Sequence, residues 1–161
     1  MIVAGTEDHG FDHLNKLVDQ ELGPTAWHTI TQADINAFAD TTGDAQWIHV
    51  DVERAKAESP YGSTIAHGFL TLSLISKFLF EVDIFPRSAK QIINYGLDRA
   101  RFISPVRAGE RVRARIRVQG VQERADGSTL VKCQATVEIE NSSRPALVAE
   151  VLNLLAPVSK E

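Results

Sequence analysis

The sequence predicts an α+β fold in which an antiparallel sheet wraps around one long central helix. Three observations lead to this prediction. Apolar residues recur at helical spacing in the first half of the 161-residue chain. In the second half they alternate with polar residues, as in strands with one buried face. The segment 68–83 is apolar on nearly every side, so we expect a helix buried all round, inside a single domain spanning 1–161.

The chain opens with a predicted short helix over 10–19, and a predicted short strand over 27–30 follows a Gly-Pro step that breaks the helical pattern. His9 and His13 have the i, i+4 spacing of a metal-binding pair. Because no third ligand lies near them in the sequence, we expect a solvated helix end and no metal site.

A second helix is predicted to start at Thr31, because Asp34 three residues later completes a capping-box pattern. Gly43 suits the C-terminal end of this helix. Residues 44–50 are therefore expected to form a loop that leaves a well-defined helix end. Asp51 is expected to cap the short helix that follows this loop.

After the central helix, the apolar pattern changes from the helical period of about 3.6 to the strand period of about 2. Residues 91–103 are predicted to form a strand, and 111–118 alternate strictly between arginine and apolar residues. Asp126-Gly127 predicts a hairpin turn, so the next strand returns antiparallel. A last strand is predicted over 146–156.

Four arginines share one face of the 111–118 strand. These side chains could contact the phosphate groups of a ligand. We favour a solvated sheet face, because Glu138 and Glu140 fall on the outer face of the next strand and can pair with them. Cys133 points to the opposite, inner face and is expected to be inert. The four are Arg111, Arg113, Arg115 and Arg117.

The composition argues against several classes of protein. The net charge of −4 offers no basic surface for nucleic acid. A single cysteine allows no intrachain disulfide, which is typical of a reducing compartment. The N-terminus lacks the pattern of a signal peptide, and the most apolar segment, 69–80, is shorter than the roughly 20 residues that cross a bilayer. We expect a cytoplasmic protein that does not bind membranes.

Asp44 and His49 form the first candidate site. They lie five residues apart on a segment with a predicted helix at each end. A carboxylate and an imidazole held in this way can position one water molecule, and histidine exchanges protons near neutral pH. Taken alone, this spacing fits a helix end beside an ordinary histidine better than it fits a catalytic pair.

The start of the central helix forms the second candidate site. The first N–H groups of a helix have no partner within it, and in an apolar pocket they can stabilise a developing oxyanion. Gly68 has no side chain to block a ligand. We expect His67 to hydrogen-bond locally and hold the loop. Together, the two sites offer a proton-transfer pair and a cradle for a thioester oxygen.

A sheet wrapped around a central helix is the hot-dog arrangement, and three stretches of the sequence resemble one family with that fold. The stretches T-G-D-A-Q-W-I-H-V-D, I-A-H-G-F-L-T-L-S and N-Y-G-L-D-R-A-R-F-I-S-P-V-R-A-G-E resemble, in order and spacing, the MaoC-like dehydratases and (R)-specific enoyl-CoA hydratases. The resemblance covers residues 24–155. Gln46-Trp47 stands where many members have Asn-Pro, and this variant resembles the nodulation protein N-like subgroup.

The resemblance implies a homodimeric hydratase that adds water to the trans-2-enoyl thioester of coenzyme A or acyl carrier protein. It implies that Asp44 and His49 are the acid–base pair and that the N–H of Gly68 forms the oxyanion hole. Which of the pair is the base stays open. The hydration needs no nucleotide, metal or redox cofactor. Candidate substrate contacts, chosen by residue type and proximity, are Gln46, Trp47, Phe69, Leu72 and Tyr95.

Two other functions are compatible with the same fold. An acyl-CoA thioesterase would cleave the thioester instead of hydrating the alkene, and a non-catalytic subunit would only bind the acyl group. The intact spacing of Asp44 and His49 argues against both.

Overall fold

A computed structural model describes residues 10–156 of the chain. The helices are α1 (Gly10–Lys16), α2 (Gln32–Thr42), α3 (Trp47–Val50), α4 (Val52–Glu58) and α5 (Gly68–Glu81). The strands are β1 (Glu21–Leu22), β2 (His28–Thr29), β3 (Ile92–Phe102), β4 (Arg111–Glu123), β5 (Thr129–Ile139) and β6 (Leu147–Leu155). Every strand pairing is antiparallel. The sheet runs β1-β4-β5-β6-β3, with β2 also paired to β4, and α5 packs against β4 and β6.

The ends of α2 form as predicted. The hydroxyl of Thr31 accepts a hydrogen bond from the N–H of Asp34, and the Asp34 carboxylate accepts one from the N–H of Thr31 at 2.8 Å. Gly43 ends the helix in the left-handed region, with φ of 78°, and its N–H donates to the oxygen of Ala39. Asp51 caps α4 through Arg54. These caps fix the chain on both sides of Asp44 and His49.

The prediction of a loop over 44–50 is wrong for its second half, where α3 forms a single helical turn. One turn of helix is too short to be stable alone. Contacts from elsewhere in the fold hold it: the N–H of Ile65 donates to the oxygen of Ile48, and the side chain of Gln32 donates to the oxygen of His49. The turn therefore depends on tertiary structure that local sequence does not reveal.

The predicted helix over 10–19 is also too long, since α1 ends at Lys16. Val18 leaves the helix to form a bridge with Val118 of β4, and Asp19 adopts a positive φ of 65°. The bridge between Val18 and β4 thus takes the place of the helical turn predicted after Lys16. His9 lies outside the described residues.

The outer face of β4 is solvated, as predicted. Arg113 pairs with Glu138 at 2.7 Å, and Arg111 pairs with Glu140. The alternate residues of β4, from Val112 to Val118, are fully buried. Cys133 lies in the same core, where burial raises the pKa of its thiol to about 12, so it stays a protonated, unreactive thiol at neutral pH.

The expectation that the central helix is buried all round is wrong for this chain. Ile75, Phe78 and Leu79 face the sheet and are buried, but Phe69 is 65% exposed and Phe80 is 60% exposed. The sheet covers only one side of α5, so the opposite apolar side remains in contact with solvent.

β3 is an edge strand. Among residues 10–156 it pairs only with β6, and two register shifts interrupt that pairing, after Asn94 and after Leu97. Ile93, Tyr95 and Phe102 along it are 45–51% exposed. Within the same residues, no helix is both long enough and apolar enough to span a membrane.

Candidate active site

Asp44 lies directly after the helix-ending Gly43, so the end of α2 sets its position. The side chain of Gln46 donates a hydrogen bond to Asp44 Oδ1 at 2.9 Å. This bond lowers the pKa of Asp44 below its usual value, against an opposing effect of desolvation, and the nearby imidazoles of His49 and His67 lower it further. Asp44 is therefore a carboxylate at neutral pH.

His49 is 7% exposed and has a defined tautomer. Its Nδ1 lies 2.7 Å from the backbone oxygen of Ile65. A carbonyl oxygen only accepts hydrogen bonds, so Nδ1 carries a proton and Nε2 is left to exchange one with a ligand. Gln32 donates to the oxygen of His49 at 2.8 Å and accepts from the hydroxyl of Thr64 at 2.5 Å, which holds the backbone of His49 in place.

His67 connects the two parts of the site. Its Nε2 lies 2.8 Å from the backbone oxygen of Asp44, and its ring stacks on that of His49 with centroids 3.8 Å apart. The prediction that His67 holds the loop is confirmed. The sequence did not reveal the stacking, because His49 and His67 lie on different elements.

Gly68 is the first residue of α5, so its N–H has no acceptor within the helix. A Cβ atom at this position would come within 2.9 Å of the ring of Phe102. A side chain at this position would therefore require the ring of Phe102 to shift.

Two adjoining cavities meet at these residues. One of about 440 Å³ is lined by Asp44, His49, His67 and Gly68, among others. The second, of about 400 Å³, also touches His49, Gly68 and Phe69, and extends past Phe102 along the sheet. The carboxylate, the imidazole and the helix start therefore face one continuous space.

A metal could be considered at this cluster, since one donor atom each from Asp44, His49 and His67 lie within 4.8 Å of one another. The geometry does not favour it. The two imidazole planes differ by only 26°, so they do not converge within a metal–nitrogen bond length of about 2.0–2.1 Å. The arrangement suits proton transfer better than chelation.

The predicted substrate contacts fall into two groups. Phe69 lines both cavities, Gln46 binds Asp44, and Leu72 lines a further cavity beside α5. Trp47 instead lies under the guanidinium of Arg54, and Tyr95 lies on β3 near Arg124. Gln46, Trp47 and Tyr95 are not among the residues that line these cavities.

The sequence reasoning missed several residues of the site. They come from the end of β3, the loop after it and the start of β6, and all but the last lie in the stretch 94–110 that resembles the family, where nothing in the residue types indicates a cavity wall. Only their place in the folded sheet brings them to the cavity. They are Phe102, Ile103, Pro105, Val106 and Leu147.

Residues 13–141 match the family model of the MaoC like domain. The chain belongs to the MaoC-like domain family. It is 49% identical over 138 residues to nodulation protein N of Rhizobium leguminosarum bv. viciae, covering 86% of each chain. It is 47% identical over 131 residues to 3-hydroxyacyl-thioester dehydratase Z of Mycobacterium tuberculosis, covering 81% of this chain and 85% of the relative.

Solved structures share the hot-dog fold of this MaoC-like protein. The (R)-hydratase of A. caviae involved in PHA biosynthesis aligns with a TM-score of 0.70 at 23% identity, covering 86% of this chain and 96% of that one. A monoamine oxidase regulatory protein from Archaeoglobus aligns with a TM-score of 0.70 at 28% identity, covering 87% and 90%. The predicted fold and family are both confirmed.

Proposed function

We propose that this MaoC-like protein is a hydratase that adds water to trans-2-enoyl thioesters to give (3R)-3-hydroxyacyl thioesters, and that it catalyses the reverse dehydration. The observation that carries the proposal is the convergence of Asp44, His49 and Gly68 on one cavity. The relative with 47% identity is a 3-hydroxyacyl-thioester dehydratase, which supports the same reaction class.

In this proposal the thioester oxygen accepts a hydrogen bond from the N–H of Gly68 at the start of α5. That bond draws electron density away from C3 of the alkene and stabilises the enolate that forms. The opposite side of the site is polar, and Asp44 and His49 Nε2 together hold the water molecule.

The oxygen of this water forms a bond to C3, and the π electrons of the alkene move toward the thioester carbonyl. One member of the acid–base pair takes the proton of the water, and a proton is delivered to C2 as the enolate collapses. The nearby imidazole of His49 lowers the pKa of the Asp44 carboxyl, which keeps Asp44 ionised beside the water. No metal or redox cofactor takes part in these steps.

The proposed active form is a cytoplasmic homodimer. β3 leaves backbone groups of one edge unpaired among the described residues, and apolar side chains are exposed along it. A second copy could add its own β3 to this edge, as paired sheets do. Phe102 is on β3 and lines the active-site cavity, so such pairing would shield the site from water.

The direct test is to mix the purified protein with crotonyl-CoA and to follow the ultraviolet absorbance of the enoyl group together with free thiol. Loss of the enoyl band without thiol release is expected. Thiol release would indicate a thioesterase. No change in either signal, with enoyl thioesters of several lengths and with coenzyme A or acyl carrier protein as the carrier, would indicate a subunit that only binds acyl groups.

A further inference from the structure

A third cavity, of about 200 Å³, lies between α5 and the strands β3 and β6. It is adjacent to the catalytic cavity, because Ser73 lines both. On α5, Ser76 at its wall is eight residues beyond Gly68, which corresponds to about 12 Å along the helix axis. An acyl chain whose thioester lies at Gly68 would have to span about this distance to place its distal part in the cavity.

Most of the cavity wall is apolar, as an alkyl chain requires. The inner side chains of α5 and the neighbouring strand residues contribute most of the surface. The hydroxyl of Ser73 is already used, since it donates to the backbone oxygen of Phe69 at 2.8 Å. The apolar wall residues are Leu72, Ile75, Leu79, Leu97, Val151 and Leu152.

The wall also contains the polar residues Ser73, Ser76, Asn94 and Asn153. Of these, Asn153 is the most deeply buried. It lies on the inward face of β6, in register with Val151 and Leu155, and is only 2% exposed. Its amide nitrogen has no hydrogen-bond partner in the part of the chain that the structure describes. A buried donor without an acceptor costs free energy, so a partner is expected from a group that enters the cavity.

We propose that the acyl substrate carries an oxygen, as a hydroxyl, keto or ether group, in its distal part, and that Asn153 binds this oxygen. This inference rests on the proposed hydratase function and adds a substrate class to it. The terminal torsion of asparagine is broad, so the amide can turn its nitrogen toward the cavity. A plain alkyl chain would leave this amide without a partner.

The test compares trans-2-decenoyl-CoA with the same thioester carrying a terminal hydroxyl. We expect the wild-type protein to have a kcat/KM about tenfold higher for the hydroxylated substrate, the effect of one neutral hydrogen bond. Asn153→Leu should bring the ratio of the two kcat/KM values close to one. Asn153→Val provides a second variant that suits a strand if the leucine variant folds poorly.

Val151→Leu is the matched control, because Val151 lines the same cavity from the same strand face but forms no side-chain hydrogen bond. This variant should change kcat/KM for the two substrates by the same factor, so the ratio of the two kcat/KM values is preserved. Equal kcat/KM values for the two substrates in the wild type, or an unchanged ratio in both Asn153 variants, would overturn the inference while leaving the hydratase function intact. Failure to hydrate any enoyl thioester would contradict the proposed function itself.

Discussion

The imidazole of His67 stacks on that of His49, with centroids 3.8 Å apart and planes 26° from parallel. The same ring donates from Nε2 to the backbone oxygen of Asp44 at 2.8 Å. One buried side chain thus contacts both members of the proposed acid–base pair. His67 acts as a positioning residue, which fixes the distance between the carboxylate and the imidazole.

Replacing His67 by phenylalanine should preserve the stacked ring and remove the hydrogen bond to Asp44. We expect kcat to fall about 10-fold to 100-fold with a smaller change in KM, because misplaced catalytic groups slow the chemical step. Steady-state kinetics with crotonyl-CoA as the substrate would measure kcat and KM separately. Phe38→Leu, which alters the other ring beside His67, should have less effect on kcat. A His67→Phe variant with wild-type kcat would exclude the positioning role.

Asp44→Asn and His49→Gln should each lower kcat by roughly 10²–10⁴, the usual contribution of a positioned acid or base. The double variant should be little slower than the slower single variant, because the two residues act as a unit. Asp40→Asn, one turn earlier on α2 and exposed, is the matched control for the loss of a carboxylate. Near-normal turnover by Asp44→Asn would contradict the proposed mechanism.

Gln46→Leu should change the pH dependence of the reaction. Gln46 lowers the pKa of Asp44 by donating a hydrogen bond to the ionised carboxylate, so its removal raises that pKa. A larger fraction of Asp44 is then protonated at a given acidic pH, and the acidic limb of the kcat/KM profile moves to higher pH. Gln46→Glu should move it further, because a like charge also disfavours the carboxylate. Superimposable profiles would refute this dependence.

Gly68→Ala tests the close approach of Phe102. The new methyl group would come within 2.9–3.1 Å of the ring. Because Phe102 is half-exposed and can move, we expect a loss in unfolding free energy near 1 kcal/mol, at the low end of overpacking costs, together with a lower kcat/KM. Adding Phe102→Leu should restore most of the stability in urea unfolding. If the double variant is no more stable than Gly68→Ala, the contact is not the cause.

Thr31→Ala should destabilise the protein by about 1 kcal/mol near neutral pH through loss of the cap of α2. Thr31 lowers the pKa of Asp34, first through its hydroxyl and then through its N–H. A lowered pKa stabilises the fold above the unfolded-state value near 3.8, and this contribution is lost as the pH falls through the folded-state value. The difference in unfolding free energy between Thr31→Ala and the wild type should therefore become smaller as the pH is lowered. Thr41→Ala, on the same helix but away from the cap, should show no such pH dependence.

The parts of the fold that could be predicted are those encoded over short distances in the sequence. The cap at Thr31, the stop at Gly43 and the alternation along β4 each depend on residues a few positions apart. The turn of α3 could not be predicted, because side chains and backbone groups from Gln32 and Ile65 hold it. The exposure of Phe69 could not be predicted either, since it depends on how far the sheet extends around α5.

The candidate site divides in the same way. Asp44, His49 and Gly68 could be proposed from spacing and from the family resemblance. Asn153 could not, because an asparagine in β6 becomes informative only when its burial and its missing partner are known. Residue type and proximity in the sequence predict Tyr95 as a substrate contact, but the structure places it on the edge strand, outside these cavities.

The edge of β3 that is unpaired among residues 10–156 indicates how the proposed homodimer could be altered. Strand pairing uses N–H and C=O groups that every residue except proline presents alike. Exchanging side chains along this edge would tune the strength and selectivity of assembly without removing the capacity to assemble. If the proposed homodimer forms through β3, a proline whose missing N–H would have pointed outward prevents the pairing. A single such substitution is then expected to yield a monomer in which the active site can be studied alone.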